Sequence, residues 1–364
     1  MRIPVFIVLL FAVVCCGGED VPKNTPDPDP VFKDMIRGTD ISFLPEIESA
    51  GAKFYSQAGT EAAMLDILKS SGVNTIRIRL WHTPANTHSS LAEVKTFSDR
   101  VKAKGLNAWI TVHYSDTWAD PGHQAKPQAW EDISSVTVLA DSVYKYTKKI
   151  TALLNPDIIQ IGNEINGGFL WPEGKTDSEH LPDFITLLKK GSQAVREVSP
   201  DTKIMVHIAG FDIATWFYQQ LNTNNVDYDM IGLSYYPIWH GKNLGALQSS
   251  INSLGATHGK EIVIAETAYP FSFGYNDFTN NIIGSDNQIL SAYSATEEGQ
   301  QKFLMKLKSI MNDAPQGAGF CYWGAEWIAF KGSTATDGSS WENQALFDFD
   351  NKAVPALNAF AGDE

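Results

Sequence analysis

The chain is 364 residues long, 43% hydrophobic and 11% aromatic, enough for a sizeable core and far from the composition of a disordered segment. A formal net charge of −14 and a pI near 5.0 leave no basic patch to meet phosphates, which excludes nucleic acid as a partner. Ten Trp, many beside expected loops, suit rings that stack on sugar faces or fill apolar pockets.

The N-terminus reads MRIPVFIVLLFAVVCC: one Arg, an apolar run too short to span a bilayer comfortably, then two cysteines. Residues 1–16 are therefore expected to be a lipoprotein-type signal peptide with Cys16 lipidated. Cys15 is the neighbouring candidate, and an ordinary cleaved signal peptide is the plainer alternative. Residues 17–34, beginning GGEDVPKNTPDPDP, cannot bury apolar surface and read as a flexible tether. The expected protein is exported and held at the cell envelope, at the outer membrane or cell surface, by its lipid alone. A monomer is the default. Cys321 is the one cysteine beyond this segment, so the body, 35–364, has no internal disulfide.

From about residue 35 short apolar or β-branched runs alternate with helical patterns. The expected strands are Met35–Ser42, Asn74–Trp81, Asn107–Tyr114, Asp157–Glu164, Lys203–Ala209, Met230–Tyr236, Glu261–Thr267 and Gly319–Trp323. Helical patterns cover Glu61–Ser70, Asp132–Leu154, Pro182–Val198 and Glu297–Met311, and Gly72, Gly105 and Gly259 fall where helices stop. This alternation predicts an α/β fold, a single (β/α)8 TIM barrel. A doubly wound open sheet would carry a Gly-rich phosphate turn after its first strand, and GTDISFLPE is not one.

In such a barrel the site lies at the C-terminal ends of the strands. Nearly every expected strand ends in polar or aromatic residues: Asp40 and Ser42; Arg77, Arg79, Trp81 and His82; His113, Asp116, Trp118 and Asp120; Asn163 and Glu164; Ser234, Tyr236, Trp239 and His240; Glu266 and Tyr269; Trp323 and Glu326. Glu164 and Glu266 both end apolar strands. Facing each other ~5–5.5 Å apart, one could attack a sugar carbon while the other protonates the leaving oxygen. Their environments must then split their pKa values, and Arg77 or Arg79 beside Glu266 would keep it ionised. The bland reading of either Glu alone is a buried acid paired with an Arg to fix the barrel.

At these residues the chain resembles a known family. GNEINGGFLWPEG, HYSDTWADPGHQ, LSYYPIWHG and AETAYP are similar to segments of the family 53 glycoside hydrolases, the endo-β-1,4-galactanases, and the match runs from about Arg37 to about Phe349. The resemblance implies a retaining hydrolase of β-1,4-galactan and galactooligosaccharides, as in type I arabinogalactan side chains of pectin. Glu164 would be the acid/base and Glu266 the nucleophile. Asn163 would hold the sugar 2-hydroxyl, Tyr236 would sit beside the nucleophile, and Trp323 would form a platform under the cleaved sugar. Arg77 matches the strand-two Arg, with Arg79 at the same strand parity. Asp40, Ser42, His113 and Asp116 would be polar contacts around the nearest sugar sites.

The family's Gly-Trp-Pro after the nucleophile reads Ala268-Tyr269-Pro270 here, so one platform becomes Tyr269. Some relatives bind calcium between strands seven and eight. Residues 271–294 offer only Asp277 and Asp286 as acids, so neither metal nor other cofactor is expected, with calcium in this loop as the alternative. Trp118, Trp171, Trp239 and Trp341 are expected to stack on sugars, and Trp109 and Trp216 to pack in the core. Turn capping competes with a binding role at Asp120. The alternatives are a relative cutting β-mannan, xylan or β-glucan, a glycan-binding protein on a dead barrel, and a metal-dependent barrel hydrolase.

Overall fold

The computed structural model describes residues 35–362. The expected signal peptide, its Cys16 and the tether lie outside the described residues. Eight parallel strands close into a barrel in chain order: β1 Ile36–Asp40, β2 Thr75–Leu80, β3 Asn107–Val112, β4 Ile158–Ile161, β5 Lys203–Ala209, β6 Met230–Ser234, β7 Glu261–Thr267 and β8 Gly317–Trp323. Each expected strand is present, and several stop one to three residues earlier, because their last residues turn out of the ladder to form the mouth.

Alternation divides each strand between two cores. On β2, Ile76, Ile78 and Leu80 join the outer core between sheet and helices, while Thr75, Arg77 and Arg79 take the opposite parity. A second core of Trp109, Ile158, Met205, Met230, Val263, Ala265 and Cys321 fills the barrel floor. Cys321 is fully buried there and acts as a small apolar side chain.

The helices wrap the barrel over Met64–Ser70, Leu91–Ala103, Val136–Leu154, Leu181–Val198, Ala214–Thr223, Leu244–His258 and Glu297–Asp313. The expected helix at Glu61 starts later: Glu61–Ala62 pairs antiparallel with Phe54–Tyr55, and Glu61 reaches Lys53 at 3.0 Å. The helix 91–103 was missed although Ser90 caps it and Glu93 stands three residues on, the capping spacing. Trp216 is 44% exposed, which corrects its assignment to the core: its helix turns that position to solvent.

Candidate active site

The strand ends enclose a cavity of about 530 Å³ at the barrel mouth. Two backbone irregularities aim its carboxylates. In β7 the pairing slips by one residue against both neighbours: Ile264 faces Leu233 and Phe320, whereas Glu266 faces Ser234 and Thr267 faces Tyr322. This bulge lets Ala265 join the barrel floor and Glu266 reach the cavity one residue later. After β4, Gly162 (φ 78°) and Glu164 (φ 47°) both adopt left-handed conformations. A Cβ on Gly162 would lie 2.5 Å from Ile165 Cγ2, so the turn that presents Glu164 requires glycine.

Arg77 is the hub. Its Nη2 lies 2.8 Å from Glu266 Oε1 and donates to Asn163 Oδ1 at 2.8 Å, while Nη1 donates to Asp40 Oδ2 at 2.8 Å. Tyr236 donates its hydroxyl to Glu266 Oε2 at 3.1 Å. Glu164 Oε1 accepts from Ser234 Oγ at 2.5 Å. Gln124 Nε2 braces the acid-bearing turn by donating to Asn163 O at 2.7 Å.

Burial pushes Glu164 up to about 8, the Glu266 charge adds to the rise, and Ser234 and Arg77 oppose it. Burial lifts Glu266 as well, but direct contacts with Arg77 and the Tyr236 hydroxyl hold it back. Glu164 is therefore the carboxyl that keeps its proton and Glu266 the one that ionises first. His113 is held neutral by burial and then by Arg79 and Arg77. Its Nδ1 accepts from Ala119 N at 3.0 Å, which leaves the Nε2 proton as a donor on the cavity side.

Of the expected residues, Asp40, Arg77, Arg79, His113, Trp118, Asn163, Glu164, Tyr236, Trp239, Glu266, Trp323 and Trp341 line the cavity. Arg79 lies 4.1 to 4.5 Å from the rings of Phe43, Trp81 and Trp118, so it is set by cation–π contacts. Trp323 meets Trp341 at 4.9 Å and Trp327 at 5.4 Å, edge to face in both cases. Asp120 lines the cavity and also caps its turn, accepting from Gly122 N at 2.7 Å.

Four expected contacts fall elsewhere. Tyr269 is fully buried, stacked on Phe303 at 4.4 Å with its hydroxyl donating to Tyr293 O at 2.5 Å, so it is a core residue and no platform. Asp116 accepts from Thr83 N and Gln128 N at 2.8 Å each and ties two loops together. Ser42 donates to Asp40 at 2.6 Å and accepts from Arg79 N at 2.8 Å, bracing both from outside the cavity. Trp171 donates to Gly167 O at 2.8 Å within its own loop, away from the cavity lining.

Gln160, His207 and Trp327 were not singled out. Polar Gln160 and His207 at inward parity inside apolar strands were the available signal; Trp327 gave none, because its loop folds back.

Glu164, His207 and Glu266 each offer an atom within 4.8 Å of the others. Both ring nitrogens of His207 and both carboxylates are already tied by the contacts above or by Gln160 and Ser234, and the Arg77 cation occupies Glu266, a donor set unsuited to a metal. The β7–β8 loop differs. The fold brings Glu342 beside Asp277, its Oε1 accepting from Asn276 N at 2.7 Å. Asp277 Oδ2, Asn281 Oδ1 and Glu342 Oε2 are buried with no hydrogen-bond partner among the described residues. Carboxylate and amide oxygens of this kind fit calcium, and counting acids within 271–294 overlooked Glu342. These three residues would hold the ion, whose role there would be to tie the loop together.

A model of glycosyl hydrolase family 53 matches residues 36–360. An arabinogalactan endo-β-1,4-galactanase of Cellvibrio japonicus is 35% identical over 373 aligned residues, covering 98% of this chain and 95% of the relative. The family 53 catalytic domain of Ignisphaera aggregans superposes with a TM-score of 0.85 at 38% identity, covering 92% of this chain and 98% of that one. A fungal β-1,4-galactanase gives 0.77 at 32%, covering 89% and 98%.

Proposed function

The chain belongs to glycosyl hydrolase family 53, and from that premise we propose that this glycoside hydrolase cuts internal β-1,4 linkages of galactan with retention of configuration. The observation that carries the reading is the carboxyl pair: an oxygen of Glu164 and one of Glu266 lie within 4.8 Å of each other in a Trp-lined cavity. Retaining enzymes place the two carboxyls about 5–5.5 Å apart, and inverting ones leave several ångströms more for a water.

Glu266, ionised beside Arg77, attacks C1 as Glu164 passes its proton to the glycosidic oxygen. Glu164 then takes a proton from water as the water oxygen bonds C1 and the C1–Glu266 ester bond breaks, which frees the sugar and restores the Glu266 carboxylate. Asn163 Nδ2 gives one N–H to Ala119 O at 2.9 Å and offers the other to the sugar 2-hydroxyl. His113 and Asp40 reach the nearest sugar, and Trp118, Trp239, Trp323 and Trp341 supply stacking faces.

Reducing-sugar release from linear β-1,4-galactan, with β-mannan, xylan and cellulose alongside, tests the substrate. Release from galactan alone is expected, with the β-anomer formed first by NMR. Release from another polymer, or the α-anomer first, overturns the reading.

We further propose export and lipid attachment at Cys16, from the apolar run and the cysteine that follows it. Cys16→Ala should move the protein from the membrane fraction to the soluble one; an unchanged distribution would exclude the anchor. No helix of the described residues is long and apolar enough to cross a membrane.

A further inference from the structure

Arg77 can only donate hydrogen bonds, and that fixes the direction of a chain across the barrel. Its Nε faces Gln160 Oε1 at 3.3 Å, and Thr111 Oγ1 donates to the same oxygen at 3.2 Å. The Gln160 amide is thereby oriented, and its Nε2 lies 3.0 Å from His207 Nδ1. Gln160 Nε2 has two protons for three acceptors, Gly162 O at 2.9 Å, His207 Nδ1 at 3.0 Å and Asn163 Oδ1 at 3.1 Å. Arg77 already serves Asn163 Oδ1, so the two protons go to Gly162 O and His207 Nδ1, and the proton of neutral His207 sits on Nε2. Nε2 lies 2.9 Å from Ser234 Oγ, which accepts it and donates its own proton to Glu164 Oε1 at 2.5 Å.

We propose that Gln160, His207 and Ser234 form a directional hydrogen-bond chain that keeps Glu164 Oε1 an acceptor and thereby assigns the catalytic proton to Oε2. His207 and Ser234 are positioning residues for proton donation, a role that rests on the reading of Glu164 as the acid. The same guanidinium that pairs with Glu266 starts the chain that ends on Glu164. When Glu164 gives up its proton, Ser234 is already directed at the carboxylate that forms, without reorganisation.

One competing arrangement exists. Asn163 Oδ1 lies 3.2 Å from His207 Nδ1 and would accept from an Nδ1 proton. That proton would then face the Gln160 amide N–H at 3.0 Å, and Asn163 Oδ1 already accepts from Arg77 at 2.8 Å. The charged and titratable groups facing the pair are Glu266, Arg77 and Asp120 around Glu164, and Arg77, His113 and His240 around His207. Burial first, then Arg77, His113 and His240, hold His207 neutral.

Nitrogen NMR of His207 in the wild-type protein is the first test: Nε2 should carry the proton, and an Nδ1–H tautomer overturns the proposal. Kinetics are the second, with galactan beside a dinitrophenyl β-galactobioside whose leaving group needs no protonation. Ser234→Ala should lose on the order of 10- to 100-fold in kcat/KM on galactan and no more than a few-fold on the activated substrate. Its basic pH limb should move up by about one unit, because a hydrogen bond favouring ionised Glu164 is gone. His207→Leu should follow the same pattern, and His207→Gln, which restores a side-chain N–H, should recover most of the loss. Equal losses on both substrates with an unmoved limb would mean packing alone and overturn the proposal. A wild type inactive on galactan sinks the functional reading instead, and the tautomer then decides the chain by itself.

Discussion

Arg77 and Glu266 meet at 2.8 Å although they come from β2 and β7, with 2% and 9% of their side chains exposed. The pair joins two roles, since the same guanidinium neutralises Asp40 and thereby lets three charges share one buried site. Burial works against the Arg77 charge, and Glu266 and Asp40 more than restore it. Replacing Arg77 by Met strands two buried carboxylates, which should cost about 3–5 kcal/mol in a denaturant or thermal melt. Activity should fall with it. The acid limb of the pH–rate profile should move to higher pH, because Glu266 must be ionised to attack and would hold its proton longer. Arg77→Lys should fall between, keeping the charge and losing the fork. An unmoved acid limb would mean that Arg77 does not set the ionisation of Glu266.

The proton on Glu164 has a consequence for stability. The folded protein holds it up to about pH 8, whereas an unfolded chain releases it near 4.5. Between those values the folded state binds a proton that the unfolded state lacks, so this contribution is full below the lower value and gone above the upper. Glu164→Gln cannot titrate. Its melting temperature relative to wild type should therefore rise steadily from pH 5 to pH 8. Melts at four pH values check this, and a flat difference would show Glu164 already ionised and remove it as the acid. Glu326 shifts the wild type in the same direction, and the difference between the two proteins cancels it.

Strand ends were the most legible part of the sequence, because a barrel gathers them at one rim and because Glu164 and Glu266 interrupt apolar runs. Parity placed Arg77 and Arg79 inward correctly. The platform expected at Tyr269 came from the resemblance alone, and after the bulge at Ala265–Glu266 the chain carries Tyr269 into the core instead. Pairings between loops were illegible: nothing local to Asp277 points to Glu342, and nothing local to Trp327 points to Phe43, stacked on it at 4.4 Å. Asp116 looked like a ligand contact because a loop acid near a site and a loop acid fastening that loop read alike.

The two tryptophans Trp239 and Trp341 separate binding from folding. Their rings stack at 6.2 Å and both line the cavity, but Trp239 is 53% exposed and Trp341 only 6%. Trp239→Ala should raise KM for long galactan several-fold and change stability by less than about 0.5 kcal/mol. Trp341→Ala should cost about 3–5 kcal/mol as a large buried ring is lost. Equal destabilisation by the two would show that the exposed ring is structural.

Calcium should bind where Asp277, Asn281 and Glu342 leave oxygens without partners. Adding millimolar calcium to chelator-treated protein should raise the melting temperature by several degrees, the expected sign for an ion that binds only the folded state. Glu342→Gln should abolish that rise. A melting temperature indifferent to both calcium and chelator would leave those oxygens to water.

Glu326 supports the aromatic wall from behind. It is fully buried, its Oε1 accepts from Phe43 N at 2.7 Å, and burial first, then Asp40, pushes it up to about 8. It is therefore neutral at pH 7, and Gln can replace it in shape and charge. Glu326→Gln should stay within about 1 kcal/mol of wild type at pH 7 and gain on it as pH rises from about 5 to about 8, by the same linkage as at Glu164. Glu326→Ala removes the acceptor of the Phe43 N–H, which should cost about 1–3 kcal/mol for the unsatisfied donor alone. Phe43 stacks on Trp327, and Trp327 lines the cavity, so the Ala variant should also raise KM while the Gln variant does not. Comparable KM values for the two would detach Glu326 from substrate binding and leave it a purely structural acid.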